Sequence, residues 1–485
     1  MKKILALLLI FMLVHTPFAY ALTRYVNPAG DNSDGTTPEK GWNTFADIVW
    51  TVLDDEESTL YITTGTYVES LNVTHNTAAS RLYIKPYGGV VTIDGNDAGN
   101  CITVYHGYVT IDGEYAGGRG IILKDARAGI GHYSGGLVGI VHRYMEIYNM
   151  TGGTNSHGIG LGSYPGPGAA TIVEYCYIHD NYADGINAGG GAFSYGNTTI
   201  RYNTIEDNRV DGIKISAGVD VYNNVIDLTN STPETHADCI QGAGGYWRIY
   251  NNKFIFGTQQ VFIETDDIDL DNVLIYNNIF EDGQGPAIAL RSKNADIPTD
   301  KNLTNLLIAN NTFVDATTYG IRIVQDNSLW IITNSEISNN IFYSSGSTDL
   351  LLEASASYAK ADLLVYSNIF YPTNAIAYNA TDDTGGPYDT ATDLNTGTGF
   401  TGNTNSQPTF TNYAGGDYTL SASDTVAKDA GKDLSAYTYL LTDYAGNTRT
   451  VPFDIGAYEY QSGAGNTTLG SGPSFTFTGP AFTLN

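Results

Sequence analysis

Asp184-Gly-Ile186, Asp211-Gly-Ile213 and Asp238-Cys-Ile240 repeat one local pattern at intervals of 27 and 27 residues. If one interval is one turn of a coiled chain, the three carboxylates stack on adjacent turns roughly 5 Å apart, the spacing of neighbouring strands. Such neighbours repel by about 3 kcal/mol per pair at an effective dielectric near 20, and by less than about 1 kcal/mol in full solvent. Two arrangements relieve the conflict. The aspartates can sit in exposed turns, where Asp before Gly is favourable, or a cation, a proton or a lysine counter-charge can be held among them. Calcium is the natural cation, since stacked carboxylates supply hard oxygen ligands in a flexible arrangement. Asp184, Asp211 and Asp238 are its expected ligands.

Further reactive side chains gather around this column. Lys214 follows Asp211 by three residues and aligns with Asn187 and Gln241 in the flanking repeats. His236 precedes Asp238 by two residues and follows an insertion, Leu228 to Glu234, peculiar to this part of the chain. Lys214, His236 and Asp238 form the expected catalytic group, because a lysine crowded or desolvated in such a setting can act as a base. An ion pair with Asp211 is the alternative role for Lys214. Gln241, Tyr182, Tyr246 and Glu264 are the expected substrate contacts, with Asp266 beside Glu264. Tyr182, Tyr246 and Trp247 offer rings that stack on sugar faces, while most of the 36 tyrosines are expected to pack turn on turn.

What positions these residues is a repeat. Asn-x-(Ile/Phe) recurs at Asn203, Asn224, Asn252, Asn278, Asn311, Asn340 and Asn368, with Asn149 and Cys176 in the same slot upstream. From Asn149 the successive spacings are 27, 27, 21, 28, 26, 33, 29 and 28 residues, so one coil takes about 27, with insertions confined to some loops. Eight residues beyond the slot lie His157, Asp184, Asp211 and Gln260, and Asp238 follows after its insertion. Short alternating stretches such as Val219-Asp-Val221-Tyr222 precede the Asn and carry the period-2 signal of strands. Stacked at strand spacing, the Asn side chains would form an amide ladder from coil to coil. A leucine-rich repeat has a similar period but needs a dense Leu pattern, whereas these coils use Ile, Val, Tyr, Phe and Gly. The expectation is therefore all-β, a single parallel β-helix, right-handed by the general rule for parallel crossovers.

The ends differ from the repeat. Residues 1–21 have the basic start, the apolar run from Ile4 to Val14 and the Ala19-Tyr20-Ala21 site of a secretory signal, cleaved after Ala21. Residues 22–70 read as an N-terminal cap and first coil, in which Asn43 or Thr44 caps a short helix with Phe45, Ile48, Val49, Val52 and Leu53 on one face. Coils then occupy 71–372, C-terminal coils and a cap 373–460, and a low-complexity tail 461–485. No later stretch has the roughly 20 apolar residues of a membrane span. The net charge of −28 argues against nucleic acid as a partner, which would select for clustered Lys and Arg. Three cysteines, Cys101, Cys176 and Cys239, cannot complete a disulfide framework and are expected in the core.

Tyr25-Val-Asn-Pro-Ala-Gly30-Asp and Tyr61-Ile-Thr-Thr-Gly65-Thr-Tyr67 resemble the entry segment of secreted pectate-lyase-like right-handed β-helix proteins. Gly416-Asp-Tyr-Thr-Leu420, Asp443-Tyr-Ala-Gly446-Asn and Asp454-Ile-Gly-Ala-Tyr-Glu459-Tyr resemble the exit segment of the same group. Together they bracket nearly the whole mature chain. The resemblance implies the fold, export and an extracellular polysaccharide as partner, but the group contains lyases, hydrolases, epimerases and non-catalytic surface proteins. Members with a Lys base beside Asp-bound calcium are similar in kind to the Lys214 and Asp set, which implies a lyase acting on a uronate glycan by β-elimination. Ala183-Asp184-Gly185-Ile186 and Ala237-Asp238-Cys239-Ile240 resemble fragments of the polygalacturonase-type hydrolase pattern, whose paired carboxylates act as acid and base. Its Ser-His-Gly element, however, stands upstream here, at Ser156-His157-Gly158. A glycan binder without catalysis is the third reading.

Overall fold

In the computed structural model, residues 22–461 are described except 55–56, 76–79, 98, 134–136, 154, 163–169, 190–197, 232–235, 266–268, 293–300, 326–329, 347, 355–361, 373–377, 381–390 and 397–399. The expected signal segment, Asp266 and nearly all of the tail lie outside the described residues. The chain is a parallel β-solenoid. A coil such as 198–215 carries three short strands, Thr198–Arg201, Thr204–Glu206 and Ile213–Ile215. The third strand of each coil belongs to a 12-stranded parallel sheet, which includes Ile159–Gly160, Ile186–Ala188, Ile213–Ile215, Ile240–Gly242 and Val261–Thr265. The other two faces join into a 24-stranded sheet at the long strand Leu82–Asp94, which pairs with both Val109–Asp112 and Ile121–Ala126.

Alternation along each strand sends Ile, Val and Leu inward and polar residues outward. Within the solenoid Phe254, Phe280, Phe313, Phe342 and Phe370 form one stack, with ring centroids 4.7 to 5.0 Å apart. The corner between the first two strands of a coil is a single left-handed residue, Tyr202 at φ 55° or Asn223 at φ 54°, followed by the repeat Asn. That Asn turns inward and closes the corner. Asn278 Oδ1 accepts the backbone N–H of Asn252 at 2.9 Å and its Nδ2 at 3.1 Å, while Asn278 Nδ2 donates to Ile249 O and to Asn311 Oδ1. The same bonds run unbroken from Asn203 to Asn368.

The ladder differs from expectation at both ends. Cys176 and Asn203 do share the slot, but the residue in register upstream is Met145; Asn149 lies four residues further on, an exposed left-handed residue within the strand Met145–Met150. Downstream the ladder gains Asn403, which accepts from Asn368 N at 3.0 Å and is closed in turn by Asn395. The expected N-terminal helix is absent. Two 3-10 turns, Phe45–Asp47 and Trp50–Leu53, stand in its place, separated by Ile48 in an extended conformation. The β-branched run Ile48-Val49 and Thr51-Val52 disfavours a continuous helix. Thr44 and Asp47 make the capping box, and Phe45, Ile48 and Leu53 are buried, yet Val49 and Val52 face solvent.

The three cysteines are buried and free. After Asn403 the chain runs back along the 24-stranded sheet. Phe410, Tyr418, Leu420 and Ile455 pack on Ile279, Val314, Ile341 and Ile369, and Leu440 and Phe453 pack near Leu307. Substituting Asn278→Ala leaves at least two buried donors without an acceptor, at about 1–3 kcal/mol each. A chemical denaturation curve is expected to show a loss of about 3 kcal/mol, whereas Asn72→Ala, outward on the strand Leu71–Val73, stays within about 0.5 kcal/mol of wild type.

Candidate functional site

The 12-stranded sheet brings the aspartate column together. Ile159, Ile186, Ile213 and Ile240 are in register, which stacks His157, Asp184, Asp211 and Asp238 two residues ahead of them. Val261 is next in register, so Gln259 rather than Gln260 continues the column. Gln260 is instead buried and donates to Glu281 O. Two asparagines set the loops that enter this face: Asn181 Nδ2 donates to Asn208 Oδ1 at 2.8 Å, and Asn208 Nδ2 to Ile178 O at 3.2 Å.

The aspartates are not in exposed turns. Asp184 is 3 % exposed, and Asp211 and Asp238 are 0 % exposed. The glycines after the first two serve close approach between coils rather than an unusual backbone angle. A Cβ on Gly185 would meet Gly212 O at 2.7 Å, and one on Gly212 would meet Cys239 O at 2.7 Å. Each carboxylate uses Oδ1 to accept the backbone N–H of the next coil: Asp184 from Asp211 at 3.3 Å, Asp211 from Asp238 at 3.2 Å, and Asp238 from Gln259 at 3.0 Å.

The second oxygens differ. Asp184 Oδ2 accepts from Asn187 Nδ2 at 2.7 Å and lies 3.1 Å from His157 Nδ1. Asp238 Oδ2 lies 3.2 Å from His236 Nδ1. Asp211 Oδ2 has no hydrogen-bond partner among the described residues. Burial, then the neighbouring charges of Asp184 and Asp238, push the Asp211 carboxyl up to about 8. Burial also raises Asp238, and the Asp238 carboxylate raises His236.

Above the column is a cleft of about 240 Å³ lined by Asn155, His157, Tyr182, Asp184, Asn187, Arg209 and Lys214. Lys214 sits on the outward face between Asn187 and Gln241. The alternative Lys214–Asp211 ion pair does not form; among the described residues no carboxylate is in ion-pair distance of Lys214, and Asp184 and Asp238 approach the two histidines instead. The Arg209 guanidinium lies over the Tyr182 ring at 4.3 Å. Of the other expected contacts, Glu264 pairs with Arg291 at 3.2 Å, and Tyr246 is a left-handed residue just ahead of the strand Trp247–Tyr250, outside this cleft. Trp247 is fully buried and donates to Ser216 O, so it presents no ring to a ligand.

Sequence reasoning missed Asn155 and Arg209. Their signal is the same interval: Asn155, Tyr182, Arg209 and His236 each stand two residues before a member of the column. The expected calcium site fits poorly. One oxygen of each aspartate is committed to a backbone N–H, and the ligating atoms that converge on Asp211 and Asp238 include an imidazole nitrogen of His236 rather than an Asp184 oxygen, whereas calcium takes six to eight oxygens.

The architecture defines the class, an elongated parallel β-solenoid with a polar cleft on one sheet. Compared with solved structures, the chain is similar to pectate lyase Pel9A, at 14% identity and TM-score 0.47, covering 92% of this chain and 98% of that one. It is also similar to a mannuronic acid specific polysaccharide family 6 lyase from human gut microbiota, at 14% identity and TM-score 0.45 over 72% of this chain and 86% of that one. The lacto-N-biosidase of Eubacterium ramulus matches at 14% identity and TM-score 0.44 over 69% of this chain, which spans 65% of that enzyme. No family model and no curated protein matches the chain. No helix among the described residues is long and apolar enough to cross a membrane.

The carboxyl shifts set a pH dependence. A carboxyl whose pKa is raised on folding holds a proton that the unfolded chain gives up, so its contribution is complete below about 3.9, the unfolded value, and fades as pH rises. For Asp211 the fading ends at about 8. His236 and Asp238, also raised, act in the same direction. In chelator-treated protein, Asp211→Asn is expected to flatten the fall of melting temperature between pH 4 and pH 8 and to melt above wild type at the upper end. An unchanged slope would show that Asp211 is ionised throughout.

Proposed function

We propose that this chain is an exported polysaccharide-active protein that cleaves a uronate-containing glycan by β-elimination, with the cleft on the 12-stranded sheet as its active site. The observation that carries this reading is Lys214, an amine in the lining of the cleft with no carboxylate among the described residues at ion-pair distance to hold it protonated, as a base requires. β-Elimination needs the substrate carboxylate neutralised, a base for the proton on the adjacent carbon, and a proton for the departing oxygen. Arg209 supplies the counter-charge, positioned by its contact with Tyr182. Lys214 is the base. His157, held beside Asp184, is placed to return a proton to the leaving oxygen. Gln241 extends the polar row next to Lys214, and His236 with Asp238 borders it one coil on.

The burial of the aspartates speaks for the lyase over the hydrolase. A glycosidase needs two carboxyl groups flanking the scissile bond, but of the two aspartates in the hydrolase-like fragments Asp184 is 3 % exposed and Asp238 has no exposed surface, nor has Ser156. A binder without catalysis would use the same cleft with no turnover. Incubation with a panel of uronate glycans is expected to raise ultraviolet absorbance as the unsaturated product forms. Lys214→Ala should lose at least about 10²-fold in rate while glycan binding persists. New reducing ends without absorbance would point to hydrolysis, and binding with no product to a lectin-like role.

A further inference from the structure

Below the cleft one convergence of ligating atoms has no assigned role. A carboxylate oxygen of Asp211, one of Asp238 and a ring nitrogen of His236 all lie within 4.8 Å of one another, the single such group of three His, Cys, Asp or Glu residues among the described residues. The three come from two adjacent coils and are set by different parts of the fold. Asp211 and Asp238 are fixed by the backbone ladder of the 12-stranded sheet, and His236 enters from the chain leading into Asp238.

A second observation points to a missing ligand. Asp211 has no exposed surface, and its Oδ2 has no hydrogen-bond partner among the described residues, although its Oδ1 is bonded to Asp238 N. Leaving a buried carboxylate oxygen without a donor costs the desolvation of that group with nothing returned. A cation bound between Asp211 and Asp238 removes this cost and the repulsion between the two carboxylates together. The His236 side chain is 38% exposed, which gives an ion a way in from solvent.

The donor set selects the ion. Two carboxylate oxygens and one imidazole suit a first-row transition cation, for which imidazole is a good ligand and zinc ranks above manganese in affinity. Calcium gains little from the nitrogen. Three protein ligands also leave a coordination position for water, as in zinc sites that are not closed. We propose that Asp211, His236 and Asp238 bind a divalent transition cation, zinc in preference to calcium. This does not depend on the lyase reading.

The test uses the full mature chain freed of metal with a chelator and titrated calorimetrically with zinc chloride, manganese chloride and calcium chloride in separate runs. One zinc ion per chain is expected, with manganese weaker, calcium weakest, and a melting temperature that rises with zinc concentration through linkage. His236→Ala, a substitution at a partly exposed side chain, should weaken zinc binding by at least about tenfold in a protein that still folds. Asp211→Asn, which keeps an oxygen for the backbone N–H of Asp238, should remove the zinc response while the protein remains folded. Zinc binding that survives both substitutions, or a stronger response to calcium than to zinc, overturns the proposal. No heat with zinc or manganese overturns it as well and assigns the position to a proton.

Discussion

One interaction recurs throughout this molecule: a side-chain oxygen in one coil accepts the backbone N–H of the neighbouring coil. In the Asn ladder the oxygen belongs to an amide, whose nitrogen is free to donate onward, so that each member satisfies two neighbours and no polar atom is stranded. In the aspartate column the oxygen belongs to a carboxylate. The backbone bond is kept, but the donor is gone and a second acceptor stands where it was. The column is thus a ladder of the same design with charge built into it, and the histidines, Asn187 and the raised carboxyl of Asp211 are the answers to that charge.

The placement of the cleft follows from the same regularity. Because coils repeat in register, residues at one interval make a row along the solenoid, and three rows meet here. One contains Tyr182 and Arg209, the second the aspartates, and the third Asn187, Lys214 and Gln241. The largely buried middle row fixes the spacing and electrostatics of the two outer rows. The C-terminal segment packs against the 24-stranded sheet.

Much of this was legible in the sequence, for physical reasons that can be named. The Asn slot and the 27-residue interval report a stacking that only identical environments in successive coils can produce. The interval failed where loops changed length. Asn149 matched the count but not the register, and Asn403 was hidden behind the 35 residues that separate it from Asn368. The N-terminal stripe had helical spacing, but its β-branched residues broke it into two turns. At the site, Asp-Gly read as a turn because burial is not a local property. Only the packed coils reveal that Gly185 and Gly212 are there to let a carbonyl oxygen come near. Arg209 carries no motif of its own, and only its place two residues ahead of the column, at the same interval, marks it.

The return of the chain after Asn403 has a mechanical meaning. Asn277, Asn310 and Asn339, at the same corner of three successive coils, donate to Thr442 O, Asp454 O and Lys432 O of the returning segment. Coils before Asn277 are held chiefly by parallel pairing with their neighbours, so under tension they can peel away singly. These three are sewn to a common thread, and Arg449, fully buried, ties that thread to Asn277 and to itself. Force applied along the axis would meet a zipper in the coils before Asn277 and a rivet beyond it.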